Sequence, residues 1–122
     1  MRRRVVGMSK ENQPLPPAEL LFLQALITKA EGGIASRVLA KTNGGNVTLF
    51  AFDAGQGLEE HTSPFDALVL VLEGVLKLTI GGAAVRAVPG SVVRMPGGTP
   101  HALEAAEPTR MLLVMLREVN AG

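Results

Sequence analysis

The chain has 122 residues, 47% of them hydrophobic, and its formal net charge at pH 7 is +1. This length suits one domain with one core, and the nearly neutral charge gives no sign of a nucleic-acid partner. The absence of cysteine, tryptophan and tyrosine excludes disulfides, thiolate ligands, thiol nucleophiles and tyrosyl chemistry, and a cysteine-free chain fits the reducing cytoplasm.

The first residues are predicted to form a tail, 1–16, ahead of one folded domain, 17–122. Arg2, Arg3 and Arg4 precede polar residues and not the apolar stretch of a secretory signal. No apolar run approaches the roughly 18 residues that a membrane span requires. We therefore expect no membrane partner and a cytoplasmic location.

A proline-rich entry leads into the segment AELLFLQALITKAEGG. Proline is tolerated in the first turn of a helix, apolar residues recur at helical spacing, and Gly32 and Gly33 are typical of a helix end. This pattern predicts a short helix over 17–30, outside the main body, although part of it could be extended. Its broad apolar surface indicates packing against the domain or a second subunit. A membrane-surface helix is disfavoured because the polar face is not basic.

From Ile34 onward, short apolar runs alternate with turns. Asn43-Gly44-Gly45-Asn46 and Gly81-Gly82 have the composition of hairpin loops. Strands are predicted at 34–41, 47–52, 58–63, 68–72, 75–80, 83–88, 91–95, 101–105 and 110–119. Short strands with turns every 8–12 residues or so indicate an all-β sandwich or barrel.

The chain has two histidines, His61 and His101. Glycine residues flank the first, and glycine and proline residues precede the second at defined spacings. Residues 55–105 resemble the two motifs of the cupin superfamily. The matching positions are Gly55, His61 and Gly74 in the first motif, and Gly90, Pro96, Gly98 and His101 in the second. This resemblance implies a single-domain, cupin-type (RmlC-like) jelly-roll β-barrel.

Cupins usually hold a divalent metal with three histidines and a glutamate. The resemblance implies that His61 and His101 project into the barrel as metal ligands. Ser63 stands at the position of another histidine, Ala67 at that of the glutamate, and Ala105 replaces an asparagine of the second motif. Imidazole suits zinc, nickel, iron or copper, and manganese is a further candidate. A catalytic zinc site usually has three protein ligands, so a metal here needs a carboxylate or water to complete its shell.

Strand alternation limits which acid could substitute. If Ala67 faces the interior, so does Val69, and Asp66 faces outward. Glu59 is two residues before His61 and could face the pocket, although an exposed rim position is the simpler interpretation. Glu104 is predicted to lie on the surface.

The remaining pocket is predicted to be largely apolar. Met95 and Met115 would form an adaptable wall or ordinary core filling. Arg94 and Arg110 are interpreted as members of surface ion pairs. The predicted lining consists of Glu59, Ser63, Ala67, Val69, Val92, Met95 and Met115.

Three functional hypotheses remain open. The favoured one is a cupin barrel that binds a divalent metal, a small molecule or both through His61 and His101. The alternatives are a metal-dependent enzyme of the dioxygenase or isomerase type and a structural barrel with a decayed site. The histidines could also bind an anion or act as general acid and base. By analogy with cupins, the apolar segment 18–30 and the outward Leu68 and Leu70 predict a homodimer.

Overall fold

The computed structural model describes residues 13–28 and 31–118, and these residues build a two-sheet β-barrel. The strands are β1 Ile34–Thr42, β2 Gly45–Phe52, β3 Gly57–His61, β4 Asp66–Glu73, β5 Leu76–Ile80, β6 Ala83–Ala87, β7 Val92–Met95, β8 His101–Ala105 and β9 Thr109–Leu116. The predicted strands coincide with them, with small displacements at their ends. The prediction of an all-β fold is confirmed.

From β2 onward the chain crosses repeatedly between the two sheets. One sheet has the order β1-β2-β9-β4-β7, the other has the order β3-β8-β5-β6, and all neighbouring strands are antiparallel. Because strands that are consecutive in the chain often belong to different sheets, each sheet needs the other to bury its inner face. This arrangement is the predicted jelly-roll barrel.

The core lies between the sheets and follows the alternation of side chains along each strand. On β4, Ala67, Val69 and Val71 are buried, whereas the residues between them are partly exposed. The predicted inward direction of Ala67 and Val69 is therefore confirmed. The interior cluster of buried residues comprises Phe52, Ala67, Val69, Val71, Leu76, Leu78, Ala87, Met95, Leu103, Ala105 and Met111.

The predicted helix over 17–30 is wrong in its described part, 17–28. Only a 3₁₀ turn forms, at Leu23–Ala25, and Ala18 has a positive φ of 59°. The segment runs across the outer face of the first sheet, where Ile27 packs in a second cluster with Leu39 and Leu49. Contacts with a broad sheet face outweigh the intrinsic helix preference of the sequence. Residues 29–30 lie outside the described part.

The predicted tail, 1–16, also lies mostly outside the described residues. Within its described part, the backbone N–H of Leu15 donates a hydrogen bond to the carbonyl oxygen of Leu39, 2.9 Å away. The side chain of Arg37 secures the same segment by donating to the carbonyl oxygen of Leu26 at 3.2 Å. Across residues 13–28 and 31–118, no helix has the length and apolar character needed to cross a membrane.

Candidate functional site: two histidines at the barrel mouth

His61 ends β3 and His101 begins β8, and the two residues pair directly across these strands. On its other side His101 pairs with Ile80 of β5. His101 is only 4% exposed and shares its face of β8 with the core residues Leu103 and Ala105, whereas His61 is exposed. The pair therefore lies at one end of the barrel, with one imidazole inside and one at the edge. We call this end the barrel mouth.

The two imidazole rings are in contact. Their centroids are 4.4 Å apart and their planes are inclined by 70°, an edge-to-face arrangement. Histidines far apart in the chain meet because β3 and β8 are neighbours in the second sheet. The resemblance to the cupin motifs implied this meeting, and the strand register supplies its geometry.

A β-bulge sets the position of His61. Between the pairs Leu58–Leu103 and His61–His101, β3 advances three residues while β8 advances two. An extra residue interrupts the simple alternation of faces. The side chain of Glu59 is exposed, in agreement with the simpler interpretation of the sequence as a rim position.

Both imidazoles are oriented by backbone carbonyl groups. Nδ1 of His61 is 2.9 Å from the carbonyl oxygen of Glu59, and Nδ1 of His101 is 3.0 Å from that of Thr99. Since a carbonyl oxygen can only accept, each Nδ1 must carry the proton in these contacts. A neutral ring of this kind keeps its lone pair on Nε2, which is the arrangement typical of metal-binding histidines. The donor chemistry of the pair fits a divalent metal.

The loop that precedes His101, residues 96–100, is fastened at successive positions. Oδ1 of Asp66 accepts a hydrogen bond from the N–H of Gly97 at 2.8 Å, and the carbonyl oxygen of Ser63 accepts one from the N–H of Gly98 at 2.7 Å. The carbonyl oxygen of Pro100 accepts one from the N–H of Gly81 at 2.8 Å. These contacts fix the part of the backbone that contains the Thr99 carbonyl group, the hydrogen-bond partner of His101.

Asp66 faces outward, as its strand position predicted, and forms an ion pair there. Nη2 and Nε of Arg94 donate to its Oδ2 at 2.8 and 3.1 Å. The hydrogen bond from the Gly97 N–H, followed by that from Arg94, holds the pKa of Asp66 below its ordinary value of 3.8. Arg110 pairs with Glu73 in the same way, so both arginines belong to ion pairs as the sequence indicated.

Residues 48–116, more than half of the chain, match the family model of the cupin domain. The chain belongs to the cupin superfamily. A solved structure of a conserved protein of unknown function from Streptococcus pyogenes is 34% identical to this cupin, with a TM-score of 0.82, and the match covers 93% of this chain and 99% of that one. A cupin superfamily protein from Desulfitobacterium hafniense is 28% identical, with a TM-score of 0.80 and coverages of 88% and 98%.

A cupin 2 conserved barrel domain protein from Leptotrichia buccalis is also similar. It is 32% identical, with a TM-score of 0.73, and the match covers 77% of this chain and 46% of that longer chain. No curated protein matches this cupin significantly. These similarities establish the family and the fold, and they assign no reaction.

Two motif positions of this cupin lack the histidine and the glutamate of the family pattern. The Ser63 hydroxyl accepts a hydrogen bond from the N–H of Phe65 at 3.2 Å. Ala67 is 5% exposed and lies in the core, paired with Met95 on one side and Met115 on the other. In the described part of the chain, no group of three or more His, Asp or Glu side chains could hold a metal. A metal at the mouth would therefore have two protein nitrogens and obtain its other donors from water or a bound molecule.

The other residues predicted to line the pocket occupy different environments in this cupin. Val69 and Met95 are buried, Met115 is half-buried against the same core, and Ser63 is half-buried near the mouth. Val92 was expected to face the pocket, and that expectation is wrong. It is 57% exposed and pairs with the outward Leu70, and the residues of β7 that contact the core are Val93 and Met95.

Proposed function

We propose that this cupin binds a divalent metal ion at the barrel mouth through Nε2 of His61 and Nε2 of His101, and that a small molecule completes the site. The observation that carries the proposal is the pair of backbone contacts to Nδ1, which leaves both Nε2 lone pairs available on adjacent strands. Zinc, nickel, manganese, iron and copper are the candidate ions.

The residues of the mouth have separate tasks in this proposal. His101, buried and held by Thr99, provides a rigid donor, and the exposed His61 provides the donor that a ligand reaches first from solvent. A bound metal would supply Lewis acidity, polarising an oxygen of the small molecule.

The experiment is calorimetric titration of the metal-free chain with each candidate ion, repeated with the variants His61→Ala and His101→Ala. Glu59→Ala is the matched control, because Glu59 is exposed and contributes its backbone carbonyl, which the substitution retains. Binding in the parent and the control, together with loss in both histidine variants, supports the proposal. Equal binding in all four proteins, or no binding in any, overturns it and favours a barrel with a decayed site.

Whether the protein converts a bound molecule into a product is tested separately from metal binding. A metal-dependent enzyme of the dioxygenase or isomerase type would consume a candidate substrate in a manner that depends on both histidines. A binding module would show an increase of melting temperature with the same molecules and no product. The favoured result is binding without turnover, because the two missing ligand positions are occupied by Ser63 and Ala67.

We also propose that this cupin forms a homodimer through the outer face of its first sheet. Apolar side chains from β4, β7 and β9 neighbour one another there, beyond the area covered by residues 13–28. The outer patch consists of Leu68, Leu70, Val92, Val114 and Leu116.

The same chain offers apolar groups that could cover this patch in a second copy. Leu20 is 79% exposed and Phe22 is 66% exposed on the segment that crosses the sheet. A surface that has both an apolar patch and protruding apolar side chains can pair with itself around a two-fold axis, and such symmetric dimers are the commonest oligomers. The cytoplasmic location stays a prediction from composition.

A further inference from the structure

We propose that Asp66 is a positioning residue of the barrel mouth: its carboxylate holds the loop 96–100 in place, and through the Thr99 carbonyl it fixes the orientation and the tautomer of His101. The proposal concerns the protein without ligand. Only its consequence for metal affinity rests on the proposed function.

The connection from Asp66 to His101 begins with the hydrogen bond between Asp66 and Gly97, where the close packing of the backbone requires glycine. Oδ1 of Asp66 accepts from the Gly97 N–H at 2.8 Å. A Cβ on Gly97 would lie 2.5 Å from the carbonyl oxygen of Pro64, so only a glycine lets the loop approach this closely. Because Gly97 has no Cβ, its backbone can pack against Pro64 while its N–H donates to the Asp66 carboxylate at the start of the loop.

Arg94 orients the carboxylate for this task. Both of its donating nitrogens contact Oδ2, which leaves Oδ1 directed at the loop. A carboxylate that used both oxygens on the guanidinium would not be free for Gly97. The ion pair thus has a geometric role even though exposed ion pairs contribute little to stability.

The remaining contacts transmit the position of Gly97 to the imidazole. The N–H of Gly98 donates to the carbonyl of Ser63, and the N–H of Thr99 donates to the carbonyl of Pro96 at 3.3 Å. These bonds hold the backbone directly before the Thr99 carbonyl group, whose oxygen lies 3.0 Å from Nδ1 of His101. If the loop shifts, His101 loses the acceptor that keeps the proton on Nδ1, and its lone pair is no longer confined to Nε2.

The direct test is nitrogen-15 NMR of the histidine side chains in metal-free protein, at about pH 8, where imidazoles are mostly neutral. In the parent, we expect His101 to show a protonated Nδ1 and an unprotonated Nε2. Asp66→Ala should shift the two signals toward a mixture of tautomers. Asp66→Asn should keep more of the parent pattern than Asp66→Ala, because the amide oxygen can still accept from Gly97 although the amide NH2 group cannot accept from Arg94. Partial rescue by this conservative variant separates positioning from a general effect of charge.

Glu73→Ala is the matched control, since it removes a second ion pair, with Arg110, at the opposite end of β4. It should leave the His101 signals unchanged. If Asp66→Ala does not fold, Asp66→Glu replaces it, because it keeps the charge but displaces the carboxylate by one methylene. Unchanged His101 signals in a folded Asp66→Ala or Asp66→Glu protein, or an equal change in Glu73→Ala, would overturn the proposal.

Calorimetry with nickel or zinc gives the functional consequence. Asp66→Ala should weaken binding by about tenfold or more, as is usual when the outer contacts that orient a ligating histidine are lost, and Asp66→Asn should lie between Asp66→Ala and the parent. If the parent binds neither ion, the proposed metal site fails while the NMR result still decides the role of Asp66. If the parent binds metal and Asp66→Ala binds equally well with parent tautomers, the positioning role fails alone.

Discussion

His61 and His101 face each other across β3 and β8, and in each residue Nδ1 contacts the carbonyl oxygen two residues earlier in the chain. This shared geometry makes the two imidazoles equivalent as donors although their burial differs. A metal bound here would meet one rigid ligand and one accessible ligand. Of the four ligand positions in the cupin pattern, two are histidine here and the other two are Ser63 and Ala67.

Restoring the absent ligands should strengthen metal binding. The variant Ser63→His/Ala67→Glu supplies the two donor types that the cupin motif places at these positions, and we expect its affinity for nickel or zinc to rise about tenfold or more. Calorimetric titration measures the change. An affinity for metal at or below that of the parent would show that side chains at positions 63 and 67 do not reach the same ion as His61 and His101.

The single variant Ala67→Glu tests, through stability, whether residue 67 lies in the core near the histidine pair. Ala67 is 5% exposed in the core, so a carboxyl group there loses its solvation and should lower the free energy of unfolding by roughly 2 kcal/mol or more. Added metal should recover part of that loss. Urea denaturation with and without zinc measures both effects, and unchanged stability in both conditions would contradict the placement of residue 67.

Two glycines with similar backbone angles should respond differently to substitution. Gly74 has φ of 81° and Gly90 has φ of 84°, but a Cβ at Gly74 would lie 2.3 Å from the carbonyl oxygen of Pro108, whereas Gly90 has open space. Gly90→Ala should cost about 1–2 kcal/mol from its backbone conformation alone. Gly74→Ala should cost about 1–3 kcal/mol more from the clash. Urea denaturation of both variants gives the difference, and equal losses would contradict the close approach at Gly74.

The lowered pKa of Asp66 predicts a specific acid response. A carboxyl group whose pKa is lower in the folded protein stabilises the fold fully above its ordinary value of 3.8, and that contribution is lost as the pH falls below 3.8 through the folded value. Asp66→Asn should therefore reduce stability at neutral pH and flatten its decline in acid. Urea midpoints of parent and variant between about pH 6 and pH 3 provide the comparison, and parallel curves would contradict the assignment.

The outer patch predicts the state of association. Leu70→Asp introduces a charge in the middle of that patch and should convert a dimer into a monomer in light scattering coupled to size exclusion. Val85→Asp is the matched control, because Val85 is 36% exposed on β6 of the other sheet. A monomeric parent, or dissociation caused by Val85→Asp alone, would show that this sheet face is not the contact between copies.

The strands of this cupin could be predicted because period-two alternation and turn residues are local properties. Ala67 and Val69 face inward and Asp66 faces outward, as their spacing along β4 indicated. The pairing of the histidines also followed from the motif. Each of these features depends on residues close together in the chain or on a family-wide spacing.

The remaining features depend on contacts that no local pattern contains. The predicted helix does not form in its described part, 17–28, because Ile27 and its neighbours pack on the outer sheet face instead. The placement of His61 opposite His101 includes a register shift that only the pairing of β3 with β8 reveals. The connection from Asp66 to His101 passes through backbone N–H and carbonyl groups, which every residue except proline has in common, so the side-chain sequence contained no signal for it.

The most direct test of the metal site is elemental analysis by mass spectrometry, applied to the untagged, unchelated chain and to the His61→Ala/His101→Ala variant, both incubated with the candidate ions and then desalted. The account predicts nearly one divalent metal per chain in the parent and almost none in the variant. Equal metal content in the two proteins, or none in either after incubation with zinc, nickel, manganese, iron(II) and copper, would contradict it.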